Sequence, residues 1–496
     1  MELLHRGMAD TVGQWYIALP AETRSCHPYL TILMARSEIH RGKYVNAGKL
    51  LEEAREAFVS KGDTAGEGDA LTSLITLCYD NSDRNSVAAY VERALKLKLK
   101  PIGQVAVRLA RAWLHMYDGN LDAACANIHE ALAIPNATGD RGADLIGITY
   151  MTAPMAAMPG CLEVTKRYCA EVESLALPDT AWRLGALELG TWPVLWRGQT
   201  EEALNRAETA EALRQRLGGY PFVGNDLPAL LSILYLARDD QEAAGRAANI
   251  LIQRMEKAGR SKRMFHMHAA GRSLALLGRC DEAMVMQQRL AALHDDSPLT
   301  FYLRNHLKGL NALLVGNEAE AEVALEKAAA LELQLPMAQV GGSARLLQAR
   351  LLLEQRQPDK AFIAAKPVLE EWTNASTPGY AILDGLTVLP VLRLAAERSN
   401  VAAERLLYLF PESLRTAEEF KPITSKIMVI KDLPEPLTPR ECDVLKLLMA
   451  NRTNFQISTE LHISKETVKS HVAHILRKLD VHSRAQAAAR ARELGF

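Results

Sequence analysis

The residues most able to do chemistry lie near the C-terminus, on a helix expected over Lys465 to Leu479. Val468, Val472, Ile475, Leu476 and Leu479 fall on one stripe of it and must face a core. Lys469, Ser470, Ala473 and Arg477 fall on the opposite face, with His474 and Lys478 beside it. A helix with an apolar back and a front of Lys, small residues and Arg fits a DNA major groove. Lys and Ser can hydrogen-bond base edges, and the Ala473 methyl can meet a thymine methyl. Arg477 and Lys478, further along, are expected nearer the phosphates. By composition alone the same face could be a solvated one.

Other candidate groups are scattered. Trp182, Trp192 and Trp196 lie within fifteen residues, and Trp192 and Trp196 are one helical turn apart. Their rings could stack on a flat ligand or fill a core. His266 and His268 sit on different sides of a helix and are expected to be solvated or partly buried, with no metal. Seven cysteines, odd in number and never in a C-x-x-C pair, predict free thiols in a reducing compartment, with neither a disulfide framework nor a zinc site. G-x-S-x-G and H-E-x-x-H are absent, no acid, base or nucleophile stands out, and no cofactor is expected. The chain reads as a non-enzyme.

Elements must hold these residues in place. Around the candidate helix, Thr438, Pro439 and Glu441 read as N-cap, first position and capping-box partner of a first helix buried through Val444, Leu445, Leu447 and Leu448. Thr453 or Asn454 can cap a short second helix carrying Ile457 and Leu461. Ser464 is placed to cap the third, and a fourth runs from about Ser483 to Leu494. Short helices joined by three- or four-residue turns describe a helix-turn-helix domain over 437–496. Its ten Lys/Arg against six Asp/Glu give +4, so a chain of net charge −1 carries −5 elsewhere. A small basic unit is joined to a larger acidic one.

The larger unit, residues 1–415, is repetitive. A turn residue, four mostly polar residues and Ala recur at Gly42…Ala47, Gly119…Ala124, Gly198…Ala203, Arg238…Ala243, Gly278…Ala283, Gly316…Ala321 and Arg356…Ala361. The spacing is near 39 residues, with unmarked copies expected near Asp80 and Gly160. Gly allows the tight turn and Ala lets two helices approach closely. A single hairpin of this kind cannot bury its apolar face, so its neighbours must stack on it. The expected fold is all-α: a tetratricopeptide-like α-solenoid, a linker over 416–436 stiffened by Pro434 and Pro436, and the four-helix domain. The uncharged stretch from Leu145 to Leu162 holds two Pro and two Gly and reads as a broken buried pair, not a membrane span. No signal peptide is visible, which predicts a cytoplasmic protein.

The C-terminal residues carry a resemblance. Leu437-Thr-x-Arg440-Glu441, then Ile457-Ser-x-x-Leu461-x-Ile-Ser464-x-x-Thr467-Val468-Lys469-x-His471, then Lys478-Leu479-x-Val481-x-x-Arg484-x-Gln-Ala487, is similar to the LuxR-type DNA-binding domain over some sixty residues. The resemblance implies that the third helix enters the major groove, which adds Thr467 and His471 to the DNA-facing set. It also implies that the fourth helix joins two copies on a two-fold site. Asn451, Phe455 and Ala473 depart from the family pattern. Ala473 should shift base preference without abolishing binding.

The order of parts, with Trp15-x-x-x-Leu19-Pro20 and His27-Pro28-x-Leu30 ahead of the first hairpin, resembles the C-terminal portion of MalT-like regulators. In that family a nucleotide switch precedes the repeats. No G-x-x-x-x-G-K-[ST] occurs here, so either the chain works without that switch or Met1 lies inside a longer reading frame. The expected function is a transcription regulator whose repeats sense a small molecule or protein and control the DNA-binding domain. Its partners would be double-stranded DNA, an effector, a second copy on DNA and, for an activator, RNA polymerase. The alternative is a protein-interaction adaptor with secondary or lost DNA binding.

Overall fold

A computed structural model describes residues 9–415 and 439–493, apart from 42, 81–82, 140–146, 149, 159, 219–223, 256–259, 294–296, 451 and 461–464. The described residues are helical throughout, from Ala9–Ala18 to Arg484–Glu493, with short 3-10 turns near 336–341 and 378–388. Gly42, Leu437, Thr438, Leu461, Ser464, Asn451 and the expected linker over 416–436 lie outside them.

The repeat signature has a geometric cause. At each described copy one residue adopts the left-handed conformation, and the next helix starts two positions later. Gly119, Gly198, Gly278 and Gly316 do so at φ between 72° and 78°, ahead of helices Leu121–Thr138, Thr200–Arg216, Cys280–Ala291 and Glu318–Glu332. Two copies use a non-glycine residue. Arg356 (φ 59°) turns as expected, whereas Asp239 (φ 61°), not Arg238, makes the turn before Gln241–Met255. Asn120 and Asn317, directly after the turn, cap the new helices by accepting from the backbone amides of Ala123 and Glu320, three residues on.

The signature alanines do what their size suggests. Ala47, Ala124, Ala203, Ala243, Ala283, Ala321 and Ala361 are all buried. Successive helices of the repeats pack on one another, as in Pro101–Tyr117 with Leu121–Thr138 and Pro298–Leu314 with Glu318–Glu332, and some alternate helices also touch, as in Arg260–Leu276 with Pro298–Leu314. The unmarked copies lie where the period puts them. Asp83 caps Arg84–Ala94 through the Ser86 amide, and Gly160 (φ +79°) precedes Cys161–Leu175.

One feature goes beyond neighbour-to-neighbour stacking. The 3-10 turns after residue 377 return to pack on Ala181–Trp196 and Leu227–Ala237. Gly379 makes this approach sterically feasible, since a Cβ there would lie 1.8 Å from the Leu195 carbonyl oxygen. Trp196 stacks on Tyr380 with ring centroids 4.5 Å apart. The curved row of hairpins therefore closes on itself and encloses an interior.

Candidate nucleic-acid interface and interior cavity

The C-terminal domain is built on its own core of Cys442, Val444, Leu445, Leu448, Ile457, Val468, Val472, Ile475, Leu479, Ala487 and Ala491. Its helices are Pro439–Met449, Asn454–Glu460, Lys465–Lys478 and Arg484–Glu493. Thr453 is the cap of the second. Its hydroxyl accepts from Gln456 N at 3.2 Å, and the Gln456 side chain accepts from Thr453 N at 2.8 Å, a reciprocal capping box. Ser483 starts the fourth helix by accepting from Gln486 N at 3.2 Å. Arg484 ties that helix to the second by donating to Asn454 Oδ1 and the Arg452 carbonyl.

The third helix presents two sides. Lys469, Ser470, Ala473, His474 and Arg477 are exposed, over the buried Val468, Val472 and Ile475. Two expected DNA-facing residues sit elsewhere. Lys478 turns inward, its Nζ donating to Glu441 Oε2 at 2.8 Å with both side chains nearly shielded from solvent. A stem long enough to reach a phosphate here reaches instead across to the first helix. His471 is also buried, with Nδ1 3.9 Å from Asp281 Oδ2 of the helical-repeat part. Burial pushes the Asp281 carboxyl above its ordinary value, while His471 beside it acts in the opposite sense. The Thr467 side chain lies outside the described residues.

Residues 435–491 match the family of bacterial regulatory proteins, luxR family. The C-terminal domain belongs to the luxR family. Over this luxR-family domain and some sequence before it, the chain is 37% identical to the nitrate/nitrite response regulator protein NarP of Escherichia coli, across 23% of this chain and 49% of that protein. It is 50% identical to the transcriptional regulatory protein LiaR of Bacillus subtilis across 11% of this chain and 26% of LiaR. A longer likeness runs through the repeats as well. The chain is 21% identical to the HTH-type transcriptional regulator MalT of Vibrio parahaemolyticus over 99% of its own length, and it spans 57% of that relative. What precedes the luxR-family domain is thus also similar to part of that regulator.

That part holds a second candidate site, which the sequence pointed to only through Trp192. The row of hairpins encloses a cavity of about 100 Å³, tighter than a typical small-molecule site. Tyr79, Trp113, Trp192 and Phe265 give it aromatic walls, and Asp226, His266, His268 and Arg272 supply polar groups. Of the three candidate tryptophans, Trp192 and Trp196 meet, with ring centroids 5.2 Å apart. Trp192 lines the cavity, Trp196 is core against Tyr380, and Trp182 is half-buried away from it.

The two histidines, expected to be solvated or partly buried, are both buried and both on the wall. His266 Nε2 donates to Asp226 Oδ1 at 2.8 Å, while its Nδ1 has no partner among the described residues. His268 Nε2 lies 3.2 Å from His306 Nδ1, and burial holds His268 well below the ordinary histidine value, so it is uncharged. Arg272 donates through Nη1 to the Gly341 carbonyl at 2.8 Å, and its Nε has no partner among the described residues. A buried polar atom without a partner costs roughly 1–3 kcal/mol. Among the described residues, no helix is long and apolar enough to cross a membrane.

Proposed function

We propose that this chain is a DNA-binding transcription regulator in which the helical repeats sense an effector and control the luxR-family domain. The observation that carries the reading is the third helix of that domain, with Lys469, Ser470, Ala473 and Arg477 exposed over a buried back. Base edges would be read by Lys469 and Ser470, with Ala473 against a thymine methyl and Arg477 on the phosphates. Of the similar proteins, MalT and LiaR are transcriptional regulators by name, which supports the same role.

The effector site in this reading is the interior cavity, whose aromatic walls and polar Asp226, His266 and His268 suit a small flat molecule with a few polar groups. Control works as a population shift. In the inhibited form the repeats lie against the third helix near Asp281 and His471, and effector binding favours a form that leaves the helix open. Such coupling needs only about 1–3 kcal/mol to matter. On DNA, two copies pair through the fourth helix, and an activator would then contact RNA polymerase.

The test is selection of genomic DNA fragments by the full-length chain at near-physiological salt, with Lys469→Ala in parallel. A shared two-fold motif that the variant loses supports the reading. Absence of any enriched motif, with and without cell extract as a source of effector, would sink it in favour of an adaptor.

A further inference from the structure

We propose that Cys125, His129 and Cys161 form a binding site for a zinc-class cation. Cys125 and His129 are four residues apart on helix Leu121–Thr138, so they project from one face of it. Cys161 opens the helix Cys161–Leu175, which packs on the first. The two sulfurs are 3.1 Å apart, and a ligand atom from each of the three residues lies within 4.8 Å of the others. Tetrahedral zinc, with bonds of about 2.3 Å to sulfur and about 2.0–2.1 Å to nitrogen, wants its ligand atoms roughly 3.3–3.8 Å apart. The cluster therefore needs only small side-chain adjustments to close around a metal.

The donor set decides which metal. Two sulfurs and an imidazole, with no carboxylate in the group, suit zinc over magnesium or calcium. The surroundings fit as well. His129 Nε2 lies 3.0 Å from the Gly160 carbonyl oxygen, which holds the ring at the cluster. Gly160 keeps its left-handed turn beside Cys125, where a Cβ would sit 3.5 Å from the sulfur. His129 is exposed while Cys161 is buried, so the site has a solvent side for entry and for a water as fourth ligand. Binding would release the thiol protons to solvent and strengthen as pH rises.

The site has a structural consequence independent of DNA recognition. It would clamp together the two helices that flank residues 139–160, and Thr152, Ala153 and Pro154 from that stretch line the interior cavity. Metal loading would thereby hold one wall of the cavity in place.

The experiment is titration of reduced, metal-free full-length protein with Co²⁺, whose thiolate charge-transfer absorption reports sulfur ligation. One equivalent per chain should saturate the band, Zn²⁺ should displace it, and Cys161→Ser should abolish it. His129→Ala should weaken binding by more than the roughly 10–100-fold that losing an outer partner costs. Cys169→Ser, a buried thiol outside the cluster, should leave the titration unchanged, and circular dichroism checks that each variant is folded. No charge-transfer band, or a band that survives loss of both Cys125 and Cys161, overturns the proposal. So does recovery of a Cys125–Cys161 disulfide in metal-free protein alkylated directly from cells.

Discussion

Lys478 Nζ and Glu441 Oε2 meet at 2.8 Å inside the luxR-family domain, their side chains only 8% and 3% exposed. The pair locks the C-terminal end of the third helix to the start of the first. His474 Nδ1 also stands 4.0 Å from Glu441 Oε1. The exposed face of the third helix is thus held in place by a buried charge pair at the helix end.

Removing one partner of such a pair strands the other charge. Glu441→Ala is expected to destabilise the domain by about 3–5 kcal/mol, and Glu441→Ala with Lys478→Met by much less. Hydrogen exchange of the third-helix amides in the full-length chain measures this directly. Equal protection in wild type and Glu441→Ala would show the pair to be energetically idle.

Arg477 is exposed near the end of the same helix. Arg477→Ala should weaken binding to all DNA sequences alike and lower the salt slope by about 1, because a phosphate contact releases counterions without reading bases. Affinities at several salt concentrations, on the selected motif and on unrelated DNA, check it. A loss confined to the motif would instead make Arg477 a base reader.

Asp281 faces His471 from the repeats. If this contact helps hold the inhibited form, Asp281→Ala should tighten DNA binding of the effector-free chain by about 5-fold or more, as ordinary coupling of about 1–3 kcal/mol implies. Gel-shift titration of the two proteins decides it, and an unchanged affinity removes Asp281 from the switch.

Ala229 lines the cavity from helix Leu227–Ala237. Ala229→Trp should fill the space and abolish the response to effector-containing cell extract, while leaving basal DNA binding intact. A response retained by a folded variant would place the effector elsewhere.

Glu332 is fully buried, accepting from Ser343 Oγ at 2.6 Å and Arg345 N at 2.9 Å, and desolvation raises its carboxyl to about 7. The folded state therefore holds this proton more tightly than the unfolded state does. That stabilisation is complete below about pH 4.5 and is lost as pH rises to about 7, some ~3 kcal/mol in all from this group. Urea unfolding across pH 5 to 7.5 should show a decline that Glu332→Gln flattens.

Much of this molecule is legible in one dimension, because local interactions decide it. The turn-to-alanine period recurs since each hairpin repeats the same left-handed turn and the same close helix approach, both set within about ten residues. The third helix's two faces follow from helical geometry alone, so Lys469, Ser470, Ala473 and Arg477 are placed by their spacing. Tertiary structure decided what long-range contacts control. Lys478 turned inward because Glu441, 37 residues away, stands opposite it. Trp196 joined the core because Gly379 lets a distant turn reach it, whereas Trp192 kept a face on the cavity. Cys125 and Cys161 show no motif, yet they meet because two helices pack side by side. Periodicity records what each helix must bury; which side chain it meets there depends on how the hairpins curve and close.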